Sequence, residues 1–282
     1  YARRFTAGFM EWNSGVSVDD DLIEWAPGDI YFGLDMQPDL QPLYQTFYAL
    51  LRARGVRVEF LVYDLLCLQH PEFFAEAVVG TYQQWLETVV AGDGAICISH
   101  ASALALAEWV QENRPLLKGR FPIRWAHIGA DIAEGRALVP LSPDQNFVES
   151  LGNEDFFLMV GTIEPRKGYL QALRAFELLW NNNNPMKLVM VGKQGWLMDQ
   201  FIKEIKAHPE FGRRLFWFSG ISDENLAFLY QKAKCLLSAS YGEGFGLPLI
   251  EAAQHGVPLL VRDLEVFREV AGDRAIYFDG VE

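Results

Sequence analysis

Short apolar runs alternate with amphipathic stretches along most of the chain. Runs at 29–34, 56–63, 95–98 and 121–127 are rich in aliphatic and aromatic residues and bounded by polar residues or glycine. Between them, apolar residues recur at helical spacing over 43–54, 73–91 and 99–111. Gly55 is placed to end the first of these helices and Ser99 to cap the third. The alternation restarts in the second half. Strands are predicted at 156–160, 187–191, 215–218, 235–239, 258–261 and 275–278, and helices at 169–180, 198–207 and 223–231, the last capped by Ser222. A further helix is predicted to start at Pro248, where a missing N–H costs nothing. The runs are apolar throughout rather than alternating, which marks strands buried on both faces. Strands alternating with helices imply parallel sheets covered on both sides.

Two stretches break the pattern. Residues 1–28 mix aromatics and acids without period, and Asp19, Asp20 and Asp21 read as a loop or a helix start. The segment 135–152 holds two prolines and few periodic residues. It reads as a hinge, giving an N-terminal domain over 1–150 and a C-terminal domain over 151–282. The run Asn181–Asn184 before Pro185 reads as a plain loop.

Composition narrows the function. The chain has 282 residues, half of them hydrophobic, enough for two α/β domains. No run reaches the length of a membrane-spanning helix, and the first residues lack the apolar core of a signal peptide. Cys67, Cys97 and Cys235 are far apart and mostly in apolar runs, which fits buried thiols in a reducing compartment better than disulfides or a zinc site. Net charge is −13: residues 1–150 hold 10 Lys and Arg against 20 Asp and Glu, and residues 151–282 hold 14 against 17. That balance argues against a nucleic-acid partner and offers no polybasic patch for an anionic membrane. It is the charge of a solvated acidic surface.

Two loops carry the candidate chemistry. The first is Tyr241-Gly242-Glu243-Gly244-Phe245-Gly246-Leu247-Pro248-Leu249-Ile250-Glu251. A strand, a Gly-rich turn and a helix N-terminus together make an anion site. Glu243 and Glu251 bracket it, and carboxylates accept hydrogen bonds from sugar hydroxyls. Amides for phosphate and acids for hydroxyls suit a nucleotide sugar; the competing reading is an ordinary strand–helix turn with two surface glutamates. The second loop is Gly161-Thr162-Ile163-Glu164-Pro165-Arg166-Lys167-Gly168, again between a buried strand and a helix. Arg166 and Lys167 are adjacent cations where open α/β sheets bind ligands, suited to a diphosphate. A solvated basic turn is the alternative.

With these loops, Gly220-Ile221-Ser222-Asp223, Gly256-Val257-Pro258 and Phe267-Arg268-Glu269-Val270-Ala271-Gly272, the chain resembles a retaining glycosyltransferase of family 4. Within that family it looks like the bacterial surface-polysaccharide mannosyltransferases. Weaker similarity covers Tyr63-Asp64-Leu65, His70-Pro71-Glu72, Ile98-Ser99 and Ile128-Gly129-Ala130-Asp131. The resemblance implies an α/β fold of GT-B type, two Rossmann-like parallel-sheet domains facing across a cleft. The family's opening strand and Gly-rich loop are not found, nor a helix after Phe278, which implies an incomplete N-terminal domain.

The resemblance also implies roles. Arg166, Lys167 and Gly161 hold the donor diphosphate. Glu243 binds the transferred sugar, approached by Gly244, Phe245, Gly246 and Leu247. Glu251 takes the ribose hydroxyls, Gly220 and Ile221 lie by the base, and Asp64 joins Glu243, Arg166 and Lys167 in catalysis. The donor is GDP-mannose or, second, a UDP-sugar; no cofactor and no metal are expected. The acceptor is a glycan, lipid-linked or not, on the cytoplasmic side, with at most peripheral membrane contact. Two departures stand out: Tyr63 where the family often has His, and Thr162 where many members have Arg. His70 and His127 are the substitutes for the missing imidazole, and each reads more simply as an ordinary polar residue. A nicotinamide dehydrogenase is excluded, because Gly242, Gly244 and Gly246 have the wrong spacing for its fingerprint. An inactive GT-B binding module and a GT-B sugar-nucleotide epimerase remain as alternatives.

Overall fold

The computed structural model describes residues 24–129, 151 and 155–280. The aperiodic stretch up to residue 23 and nearly all of the expected hinge lie outside them. Among the described residues there are two sheets, and every strand pairing within them is parallel. The first has four strands in chain order: β1 (Ile30–Gly33), β2 (Arg57–Val62), β3 (Gly94–Cys97) and β4 (Ile123–Trp125). The second has six: β5 (Phe156–Val160), β6 (Lys187–Val191), β7 (Leu215–Phe218), β8 (Cys235–Ser238), β9 (Leu259–Arg262) and β10 (Ala275–Phe278). Its spatial order is β10-β9-β8-β5-β6-β7. The chain thus runs outward from β5 to β7 and then returns to β8 on the other side. That reversal opens a crevice beyond the strand ends between β5 and β8, where doubly wound sheets hold ligands.

Successive strand residues face opposite sides, and the core follows that rule. Leu158, Val189 and Leu236 pack into one cluster, while Met159, Leu188 and Leu237 pack into another on the other face. The first sheet has its own cluster around Val58, Phe60, Val62, Trp85 and Leu86.

The strand predictions match closely because a parallel strand buried on both faces is an unbroken apolar run. The helices differ at their ends. The stretch 43–54 divides into a 3-10 turn, Gln41–Tyr44, and a helix, Gln45–Ala53. The helix expected from residue 73 begins only at Glu76, after the 3-10 turn Pro71–Phe73 and an extended Phe74. Among the described residues two further helices are present, Leu66–Gln69 and Glu265–Ala271, both too short for a period to show. The two caps are as expected. Ser99 Oγ accepts from Ser102 N at 3.0 Å, and Ser222 Oγ from Asn225 N at 3.3 Å. The three cysteines are buried free thiols.

Candidate active site

The strand β5 ends at Val160, and the loop after it turns through Pro165–Lys167 as one 3-10 turn. Gly168 follows with φ +69°, and the helix Tyr169–Asn181 begins. A Cβ on Gly168 would lie 2.1 Å from the Ala239 carbonyl oxygen, so only glycine lets this loop lie against the one after β8. Tyr241 N closes the contact by donating to Arg166 O at 2.7 Å. The two loops singled out by sequence are therefore one joined surface.

Their side chains meet. Lys167 Nζ donates to Glu243 Oε1 at 2.6 Å, and Arg166 Nη1 to Glu243 Oε2 at 3.1 Å. Ser240 Oγ adds a bond to Glu243 Oε1 at 2.7 Å. Arg166 also donates to Gly242 O at 2.8 Å and pairs through Nη2 with Glu164 Oε1 at 2.6 Å. The sequence puts the cations in one loop and the acids Glu243 and Glu251 in another. In the structure Glu243 is ion-paired to both cations, because the strand order brings the β5 and β8 loops side by side.

The charges settle one another. Burial pushes the Glu243 carboxyl up, but Lys167 and then Arg166 outweigh it and hold it below the usual carboxylate range. Burial pushes Glu164 up, helped by the nearby acids Glu243 and Asp64, and Arg166 and Lys167 offset only part of it. Asp64 is raised by burial as well, against the opposing pull of the Leu66 amide and of Arg166.

Asp64 comes from the first sheet. It follows β2, its Oδ1 accepts from Leu66 N at 3.0 Å, and its backbone carbonyl accepts from the Tyr82 hydroxyl. A Cβ on Gly244 would lie 2.9 Å from Tyr63 O and 3.2 Å from Asp64 Oδ2, so the Gly-rich loop runs directly against the first lobe. Asp64, His70, Gly242 and Glu243 line a shared cleft there. The Tyr63 hydroxyl donates to Leu34 O at 3.2 Å.

The remaining expected residues spread out from this centre. Gly161 adjoins Lys167: a Cβ there would be 3.7 Å from Lys167 Nζ. Gly244, Phe245 and Gly246 are buried, and the helix begins at Leu247, one residue before the expected start. Glu251 lies one turn along, and its Oε2 accepts from the Tyr230 hydroxyl at 2.5 Å. Gly220 is exposed after β7, and Ile221 is half-buried. Among the described residues, no hydrogen bond or ion pair joins Glu251, Gly220 or Ile221 to the Arg166–Lys167–Glu243 cluster. Glu164 is the member that sequence reasoning missed as a participant; its position two residues before Arg166 was the available signal. Among the described residues, no group of three or more His, Cys, Asp or Glu side chains is placed to hold a metal ion.

Residues 143–280 match the family described as glycosyl transferases group 1. The serotype-specific mannosyltransferase WbdA of Escherichia coli is 38% identical over 288 residues, covering 99% of this chain and 34% of that protein. The O-antigen chain mannosyltransferase B of Escherichia coli is 33% identical over 130 residues, 45% of this chain and 33% of that protein. The chain thus spans about a third of the length of the curated relatives it matches. Among solved structures, an α,α-trehalose 6-phosphate synthase from Burkholderia multivorans superposes with a TM-score of 0.64 at 14% identity, covering 90% of this chain and 60% of that one. Anabaena Alr3699/HepE, solved with UDP and glucose, gives 0.58 at 15% identity, covering 86% and 61%. At that level of identity the likeness shows the fold, which is GT-B.

Proposed function

We propose, from the glycosyl transferases group 1 domain carried by residues 143–280, that this chain works as a glycosyltransferase in surface-polysaccharide synthesis. It moves a hexose from a nucleotide diphosphate sugar to a glycan acceptor, with retention at the transferred carbon and without a metal. The observation that carries this reading is the convergence of Arg166 and Lys167 on Glu243 beside a Gly-rich turn and a helix start.

The arrangement suits the step. The leaving nucleoside diphosphate gains charge as the glycosidic bond breaks, and Lys167 and Arg166 are fixed cations for it. In taking them, the diphosphate replaces Glu243 as their partner. Glu243 is then released to accept from hydroxyls of the transferred sugar. Glu251, held by Tyr230, accepts from the ribose, with Gly220 and Ile221 by the base. Asp64 closes the site from the first lobe.

The names of the mannosyltransferase relatives support mannose, hence GDP-mannose as first donor; the solved UDP complex supports a UDP-sugar as second. The acceptor is a growing glycan, carried on a lipid at the cytoplasmic face, with membrane contact at most peripheral. No helix among the described residues is long and apolar enough to cross a membrane.

A thermal-shift panel of GDP, UDP, ADP and their sugars, followed by a transfer assay with labelled donor, tests this. One nucleotide should stabilise selectively by mass action. No stabilisation by any of them, with no transfer, overturns the proposal. Tyr63, committed to Leu34 O, favours one second reading, a GT-B module that binds a nucleotide sugar without turning it over. Donor binding with neither hydrolysis nor transfer would select it.

A further inference from the structure

The helix His100–Asn113 starts with N–H groups that have no acceptor within the helix. A carboxylate from the other lobe meets two of them. His100 N donates to Glu269 Oε1 at 2.7 Å, and Ala101 N to Oε2 at 2.9 Å. His127, just beyond β4, lies with Nε2 at 2.7 Å from the same Oε1. Glu269 belongs to the helix Glu265–Ala271, so one acid ties two first-lobe segments to the second lobe. Burial raises its carboxyl, but the two amides and His127 outweigh that and keep it ionised, as an acid at a helix N-terminus should be. The neighbouring Arg268 does not compete, since it pairs with Asp263 at 2.5 Å.

Beside this junction the same helix start touches the Gly-rich loop. Ser99 Oγ, wholly buried, donates to Gly244 O at 2.7 Å, and Ser102 Oγ lies 2.9 Å from Tyr63 O and 3.3 Å from Gly244 O. Gly244 follows Glu243 directly. The position of the helix start therefore decides where the Gly244 carbonyl is held.

We propose that Glu269 is a positioning residue of the transfer reaction: it seats the first-lobe helix so that Ser99 fixes the Gly244 carbonyl and, through it, the Glu243 loop. The inference rests on the function proposed above. Glu269 touches neither cation, so donor diphosphate binding, which needs Arg166 and Lys167, proceeds without it. Transfer needs the two lobes in register and depends on it.

The test uses Glu269→Ala, with Glu269→Asp as a milder change should the first fail to fold. Calorimetry with GDP and UDP should give dissociation constants within about threefold of the unsubstituted chain. Transfer kcat should fall roughly a hundredfold, the cost of a misplaced reacting geometry. Small-angle scattering should show a larger radius of gyration as the lobes part. Glu269→Asp should give an intermediate kcat. A merely stabilising role would lower the melting temperature while leaving kcat and scattering unchanged, and that result overturns the proposal. Nucleotide affinity falling in step with kcat overturns it too. If the unsubstituted chain neither binds nor transfers, the proposed function falls, and scattering alone decides the strut: an unchanged profile rejects it.

Discussion

The two sheets end in loops of different chemical kind. Beyond β5 and β8 of the second sheet, the chain collects two cations and two acids into one paired cluster. Beyond β2 and β3 of the first, it contributes one buried acid, Asp64, and hydroxyls that bind backbone carbonyls. The imbalance follows the charge: the first 150 residues carry a net −10 and the rest only −3. On the function proposed above, the second lobe takes the donor diphosphate, while the first presses against the loop that does so.

The sharpest way to break this contrast is to remove a cation. Lys167→Ala is expected to lower turnover by about a hundredfold, the usual effect of losing one fixed charge stabiliser. It should also destabilise the chain, because Glu243 keeps only Arg166 and Ser240 as side-chain partners in a buried setting. Steady-state kinetics beside a denaturation curve would check both; near-normal turnover would remove Lys167 from the site. Glu251→Ala, outside the paired cluster, should cost about tenfold to a hundredfold in kcat/KM, falling mainly on donor KM, with little loss of stability.

Next in size are the pH effects, which differ in sign within the site. Glu243 is depressed below its ordinary value of 4.5, so its stabilisation is present above that value and is lost as pH falls through the depressed one. Asp64 is raised above 3.8, so its neutral form favours folding at low pH, and that contribution fades as pH rises through the raised value. Asp64→Asn should therefore flatten the decline of melting temperature on the rising-pH side, while Glu243→Gln flattens the acid side. An unchanged profile in Asp64→Asn would show that its carboxyl is not raised above its ordinary value.

The smallest expected effect is a control on the surface of the second lobe. Arg174 bridges Glu177 at 2.9 Å and Glu204 at 2.5 Å, but its side chain is 53% exposed. Arg174→Ala should change stability by less than about 1 kcal/mol and leave transfer unchanged. A large loss of activity there would mean that the site extends well beyond the cleft.

Much of this was legible in the chain of residues. Strands such as Lys187–Val191, buried along their whole length, announce themselves as apolar runs. The residues at 161–168 and 241–251 name themselves by composition, because few loops combine glycines, adjacent cations and acids. The helix Glu265–Ala271 was not legible: at seven residues it is too short for a hydrophobic period. Glu269 within it stands out only as part of the family motif Phe267-Arg268-Glu269-Val270-Ala271-Gly272. Its partners, His100, Ala101 and His127, are more than a hundred residues away, and no local pattern records them.

Sequence alone thus determined which segments are strands, that the sheets are parallel, and which two loops carry the cations and acids that meet. Those depend on local burial and residue chemistry, and both are written in neighbouring positions. Only the tertiary structure decided that Glu243 pairs with both cations, that Glu164 joins them, and that Ser99 and Glu269 bind one lobe to the other. Those depend on strand order and on how the lobes meet, which place residues together irrespective of their distance along the chain.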